Sequence, residues 1–323
     1  MSSSAISTES TTLITSITNS ISDVERETGL AKDTLRVWER RYGFPQPERD
    51  AFDERLYPAD QVKKLCIIKR LLDCGHRPGK IIGLSIQALQ TIAQESNTRQ
   101  VKLAAVGELH PELQQYLDLC STHQVEELRR RLSEAQLQLG LRSFVTDLVA
   151  PLTQLIGDAW ASGSLAIFEE HLFSESVQVV LRNAISHIPQ RSPQSPAHPR
   201  ILMTTFPQER HGLGLLMAEA LFSLYGAHCI SLGVQTPIIE IADAVKAQNA
   251  DLVALSFSSA MNGKKAIDGL NELRSRLPDA VEIWAGGSSP TVSRQQPTQI
   301  HLTSLTGIQS SLANWRQRHG MPG

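Results

Sequence analysis

The chain has 323 residues, 41% of them hydrophobic and 20% charged, and a formal net charge of −2. That length leaves room for about two or three domains with ample core, and the near-neutral balance excludes binding nucleic acid by global charge, so any such surface must be local. Four cysteines, Cys66, Cys74, Cys120 and Cys229, are scattered without a Cys-x-x-Cys spacing and read as small buried apolar residues rather than disulfides or metal ligands. No apolar run long enough to span a bilayer and no signal peptide are visible, which points to a cytoplasmic protein with no membrane partner.

Residues 1 to about 18 are rich in Ser and Thr with almost no charge, and read as a mobile tail. Ser22 then precedes Asp23-Val24-Glu25-Arg26-Glu27, an N-cap followed by acids in the first helical turn. Thr28-Gly29-Leu30 breaks that helix, and a second runs from Ala31 to Arg41 with Leu35 and Trp38 on one face. Two short helices joined through a Gly turn make a helix-turn-helix candidate. The second carries Lys32, Arg36, Arg40 and Arg41, cations suited to phosphates beside a major groove, although a solvated charged helix has the same composition.

The residues that follow narrow the choice. Arg36-Val37-Trp38-Glu39-Arg40-Arg41-Tyr42-Gly43-Phe44-Pro45, then Pro47, Arg49 and Arg55-Leu56-Tyr57, closely resembles the winged-helix domain of the MerR family of transcription regulators. The resemblance covers roughly residues 20 to 90. It implies that the helix near Asp33 to Tyr42 enters the major groove of a double-stranded operator, with Thr34 and Tyr42 beside the four cations. It also implies a wing over residues 43–57 that places Arg49 and Arg55 on phosphates. Tyr57 is a further DNA-contact candidate, although its ring, like that of Trp38, suits a small-domain core. Phe52-Asp53 stand where family wings often carry a Gly pair. Pro58 to Leu72 continues as a helix with Val62, Leu65, Ile68 and Leu72 apolar, ending at Gly75.

A polar connector covers about 91–106. From Pro111 to Ile188 the apolar period is helical, in segments 111–120, 123–137, 139–160 and 166–187 with a break at Ser162-Gly163-Ser164, which predicts a four-helix bundle. On pattern alone such a bundle is a spacer or dimerisation element. Residues 189–199 form a Pro-rich, semi-stiff linker. Beyond it, strands near 200–206, 228–232, 251–257, 281–285 and 299–303 alternate with helices near 212–225, 237–248, 264–276 and 308–319. That alternation predicts a five-stranded parallel sheet in a flavodoxin-like (Rossmann-like) order, covered on both faces.

The first of these strands, Ile201-Leu202-Met203-Thr204-Thr205-Phe206, opens into Glu209-Arg210-His211-Gly212-Leu213-Gly214, where open α/β sheets bind ligands. His211 can offer one ring nitrogen to a metal while Glu209 accepts from the other, which fixes the tautomer. Gly214 keeps the first helical turn narrow. There are 41 residues between Gly214 and Ser256-Phe257-Ser258, and 27 between Ser258 and Gly286-Gly287. This spacing resembles the cobalamin-binding module of methionine synthase and methylmalonyl-CoA mutase, an acid-x-His-x-x-Gly, a Ser-x-Leu or Ser-x-Thr and a Gly-Gly. The resemblance implies His211 as lower axial cobalt ligand, with Ser256 and the glycines lining a slot for the displaced nucleotide tail. Ser258 replaces the usual Leu or Thr, a change expected to loosen that slot.

Trp160, nine residues, then Glu170-His171, in a bundle ahead of a cobalamin module, resembles the light-responsive cobalamin-dependent repressors of carotenoid genes. That family implies that Trp160 and Glu170 cap the upper face of adenosylcobalamin, with His171 nearby. Ala161 stands where some members carry a His that takes the cobalt after photolysis. The order of parts is then a tail (1–18), winged helix (19–90), linker (91–106), four-helix bundle (107–188), Pro-rich linker (189–199) and cobalamin domain (200–323). The function implied is a DNA-binding regulator, not an enzyme, whose homo-oligomeric state (dimer or tetramer) and operator binding are controlled by adenosylcobalamin or another cobalamin, as a photoreceptor. Two other readings stay open: a MerR-like regulator whose sensor no longer binds cobalamin, and a corrinoid protein or methyltransferase component.

Overall fold

The computed structural model describes residues 18–73, 76–92, 111–189, 198–295 and 297–321. The expected tail up to residue 17, the helix end at Cys74-Gly75, most of the polar connector and linker residues 190–197 lie outside the described residues. The chain separates into two compact units, one holding the residues up to 70 together with 77–89, the other holding 71–76 and everything from 90 onward.

The first unit contains a strand not anticipated from the sequence. β1, Thr18–Ser20, pairs antiparallel with β3, Arg55–Pro58, whose other edge pairs with β2, Glu48–Arg49. Thr-Asn-Ser has no apolar alternation, so nothing local announces it. Because the extended backbone runs to Ser20, the N-cap of α1, Ile21–Thr28, is Ser20 and not the expected Ser22. The Ser20 hydroxyl accepts from the Asp23 N–H at 3.2 Å while the Asp23 carboxylate accepts from the Ser20 N–H at 3.1 Å, a reciprocal capping box. Gly29 (φ 68) and Gly43 (φ 67) end α1 and α2, Lys32–Tyr42, in the left-handed conformation that glycine adopts without steric cost. Val24, Leu35, Trp38 and Tyr57 are buried together with Val62, Leu65 and Ile68 of α3, Ala59–Asp73. Leu71 continues the buried stripe of α3, and the expected Leu72 is only half-buried.

In the second unit, α5 (Pro111–Ser121), α6 (Val125–Ser143), α7 (Ala150–Ser162) and α8 (Ile167–Ser186) form the helical part. A short helix α4, Pro78–Ile81, precedes them in the first unit. The break expected between residues 137 and 139 falls at Gly140, whose φ of 73 and ψ of 158 interrupt α6, and residues Phe144–Val149 form an unforeseen π-helical segment before α7.

The remaining elements alternate as expected: β4 (Arg200–Thr204), α9 (Leu213–Leu224), β5 (His228–Gly233), α10 (Ile238–Gln248), β6 (Leu252–Phe257), α11 (Gly263–Arg276), β7 (Glu282–Gly287), β8 (Ile300–Leu302) and a terminal helix, Ile308–Arg318. The strands are parallel in the order β5-β4-β6-β7-β8. Side chains alternate across the sheet. Ile201, Met203, Leu252 and Ala254 join α9 and the bundle residues Phe144, Leu152, Phe173 and Val177 in one core. Leu202, Val253, Leu255 and Ile283 point to the other face and pack under α10 and α11. The period of two thus divides one apolar run between two cores.

Candidate functional site

The loop between β4 and α9 holds its carboxylate at the carboxyl end of the sheet, between β4 and β6. Glu209 is 1% exposed, and its Oε1 accepts from the His211 N–H at 3.0 Å and pairs with His211 Nδ1 at 2.7 Å. Oε2 accepts from both the N–H and the hydroxyl of Ser258, each at 2.8 Å. Burial pushes the Glu209 carboxyl up, and the hydrogen bonds from His211 and Ser258 more than reverse this, so it stays below its ordinary value. With Nδ1 turned toward Glu209, Nε2 lies on the opposite side of an imidazole that is 59% exposed. This is the disposition of a metal ligand whose tautomer is set by a second carboxylate contact.

Ser258 therefore turns toward Glu209, with its hydroxyl also 3.1 Å from His211 Nδ1. Thr205, which the sequence reading passed over, also holds the loop: its hydroxyl donates to the Glu209 carbonyl at 2.8 Å and accepts from the Gln235 N–H at 2.9 Å. Two hydroxyls closing an apolar strand, Thr204-Thr205, were the available signal.

Parallel pairing sets Ser256 opposite Gly286 and Phe257 opposite Gly287. A Cβ on Gly214 would lie 3.0 Å from Ser256 Oγ, and one on Gly286 would lie 2.9 Å from the Thr303 carbonyl. Gly287 has φ 110, and a Cβ there would stand 2.2 Å from the Phe257 carbonyl, so only glycine fits. Gly214, Ser256 and Gly286, distant in sequence, thus meet at the carboxyl ends of the strands. A cleft of about 250 Å³ adjoins the glycine pair, lined by Ser289, Val292, Leu302, Thr303 and Ser304 among others; none of these five was singled out from sequence.

Trp160 lies in the last turn of α7, which Gly163 (φ 78) closes, and α8 begins four residues beyond. Glu170 and His171 are brought together, Nδ1 to Oε2 at 2.7 Å, with the Ser174 hydroxyl donating to Oε1 at 2.6 Å. Ala161 is buried. On the same helix end, His123 reaches Glu169 at 2.9 Å and its ring lies 5.1 Å from that of Phe168, a contact that joins the α5–α6 turn to the start of α8 and has no local signature.

In the first unit α2 exposes Arg36, Arg40 and Arg41, with Lys32, Thr34 and Tyr42 half-buried. Arg36, Arg40 and Arg55 surround Glu39 in a groove of about 520 Å³. Both wing arginines have partners within the unit: Arg55 Nε donates to Glu39 at 2.9 Å, and Arg49 donates to the Asp53 carbonyl at 2.6 Å. At the tip the Asp50 carboxylate accepts from the N–H groups of Phe52 and Glu54, each at 2.8 Å, and Asp53 takes a left-handed φ of 61. Asp tolerates this where family wings place glycine. Tyr57 is a correction to the DNA-facing set. It is 0% exposed, as its ring suits a small-domain core, and among the described residues its buried hydroxyl has no hydrogen-bond partner.

Among the described residues no helix is long and apolar enough to cross a membrane. Residues 20–95 match the MerR HTH regulatory family, and residues 112–184 and 199–302 each match a B12 binding domain. The chain is 29% identical over 263 residues to the HTH-type transcriptional repressor CarH of Myxococcus xanthus, covering 81% of this chain and 86% of that protein. It is 28% identical over 271 residues to the HTH-type transcriptional repressor CarA of the same organism, covering 83% and 86%. A monomethylamine corrinoid protein from Methanosarcina barkeri superposes with a TM-score of 0.48 at 15% identity, over 62% of this chain and 96% of that one. This chain is a MerR-type regulator with a cobalamin-binding domain.

Proposed function

We propose that adenosylcobalamin is the form of the cofactor that controls this regulator, and that light acts through it. The observation that supports cobalamin binding is the His211–Glu209–Ser258 network, an imidazole oriented by a buried carboxylate at the carboxyl end of a parallel sheet; the adenosyl form and the response to light rest on Trp160 and Glu170, which stand as in the light-responsive repressors that the sequence resembles. The residues fit a corrinoid: His211 would hold the lower face of cobalt, and the strip of Gly214, Ser256, Gly286 and Gly287 would receive the nucleotide tail. Trp160 and Glu170, with His171, would lie against the upper face and favour an adenosyl group. Adenosylcobalamin supplies a cobalt–carbon bond that light cleaves.

What the chain contributes is a shift between assemblies. Tightening of the bundle against the sheet domain favours a dimer or tetramer, and several winged helices then engage repeated half-sites together. A differential affinity of about a few kcal/mol between the two assemblies is enough to move most of the population. Lys32, Arg36, Arg40 and Arg41 would supply the phosphate attraction; Arg49 and Arg55 would exchange their internal partners for phosphates.

The test is size-exclusion chromatography with full absorbance spectra on the intact chain and adenosylcobalamin, in darkness and under green light. A larger, coloured dark species that dissociates on illumination is expected. In spectral titrations His211→Ala weakens binding and Trp160→Ala reduces the preference for the adenosyl form over methylcobalamin. Absence of colour in both halves sinks the reading in favour of a sensor that no longer binds cobalamin.

A further inference from the structure

We infer that Val37 reads a base: its isopropyl group packs on the 5-methyl of one thymine in the major groove of the operator. The inference rests on the reading that α2 enters that groove. Along α2, Leu35 is 0% and Trp38 5% exposed, and these two define the inward face. At 100° per residue the opposite face carries Asp33, Arg36, Val37 and Arg40. Val37 is 43% exposed at the side of that stripe nearer Arg41.

Among the described residues this apolar, β-branched side chain is not part of the buried core, and branching at Cβ costs helix propensity relative to the Lys, Gln or Arg that suit an exposed position. Its neighbours on the helix surface are Asp33 and Thr34 one turn before it and Arg40 and Arg41 one turn after. Arg36 is held along the helix by Asp33 at 3.0 Å, and Arg40 is exposed one turn on. Glu39, the nearby carboxylate, is neutralised by Arg55 at 2.9 Å. A surface with more arginines than free carboxylates, and one apolar point among them, suits a polyanion that presents one apolar group. In the major groove that group is the methyl of thymine, the only one any base displays there. The arginines then attract phosphates of any sequence, and Val37 discriminates.

The experiment uses the full chain and the duplex it recovers by in vitro selection from random DNA. Each thymine is replaced in turn by deoxyuridine, which removes only the methyl, and affinity is read by fluorescence anisotropy at constant salt. Wild type is expected to bind about threefold to fivefold more weakly when one particular thymine of each half-site is replaced, the effect of one methyl returned to water. Val37→Ala is expected to bind the thymine and uracil duplexes equally, and about as tightly as wild type binds the uracil duplex. Alanine favours helix at this exposed position, so loss of folding is not at issue. A variant that keeps the uracil penalty overturns the inference, as does a wild type indifferent to every replacement; Val37 is then an isolated surface valine. Failure to select any duplex would instead remove the groove reading itself, and the inference with it.

Discussion

Two Glu–His pairs in this protein have the same bond length and different surroundings. Glu209 and His211 meet at 2.7 Å, and so do Glu170 and His171. Glu209 is 1% exposed and Glu170 is 29% exposed, while the imidazoles are 59% and 69% exposed. The first carboxylate spends both oxygens on four donors from two loops. Among the described residues the second is bonded by its sequence neighbour and by Ser174 one turn on. A distance alone therefore says little about what a pair holds in place. Burial decides it, because a buried carboxylate left without its donors carries the full desolvation cost, while an exposed one turns to water.

The sharpest way to break the comparison is Glu209→Gln. The amide keeps an acceptor for His211 but meets the Ser258 donors with its NH₂, leaving a buried N–H without a partner. We expect a loss of about 1–3 kcal/mol of stability and about 10–100-fold in cobalamin affinity, read by thermal unfolding and spectral titration. The pH dependence follows from the depressed carboxyl. Its stabilisation is complete above the ordinary value of a free Glu and is lost as pH falls through the lower folded value. The variant lacks this part of the acid limb; parallel melting curves from pH 7 down to acid would show that Glu209 is not its source.

Ser258→Ala is a smaller cut through the same network. It removes the hydroxyl donor and leaves the Ser258 N–H on Glu209, so the expected loss is about 0.5–1.5 kcal/mol with a modest drop in affinity. A fall as large as that of Glu209→Gln would mean that the hydroxyl, and not the backbone, carries the loop. The smallest effect is expected at the other pair. Glu170→Gln should change stability by no more than about 0.5 kcal/mol, its consequence confined to the preference among upper ligands, measured as a ratio of affinities for adenosyl- and methylcobalamin. A large stability loss there would erase the contrast between the pairs.

The wing shows how far local pattern reaches. The wing over residues 43–57 was expected only from the family resemblance; its strand Arg55–Pro58 and the turn held by the Asp50 carboxylate are seen only in the structure. That the Tyr57 ring lies inside was legible from its residue type, whereas the Arg55–Glu39 bond, across 16 residues, and β1, a three-residue polar strand that pairs with β3, were not. The His123–Glu169 contact was hidden for a similar reason, since its partners lie 46 residues apart.

Periodicity and punctuation determined the order of elements, the bundle and the five-stranded parallel sheet, because an apolar run must find a face to bury and glycine ends a helix in the left-handed conformation without steric cost. The acid-x-His-x-x-Gly loop was legible as well, since Glu209 and His211 are close enough in sequence to bond within one turn. Tertiary structure alone decided what Ser258 does. Its position 49 residues beyond Glu209 says nothing until β4 and β6 lie side by side, and only then do two donors converge on a carboxylate that burial has deprived of water.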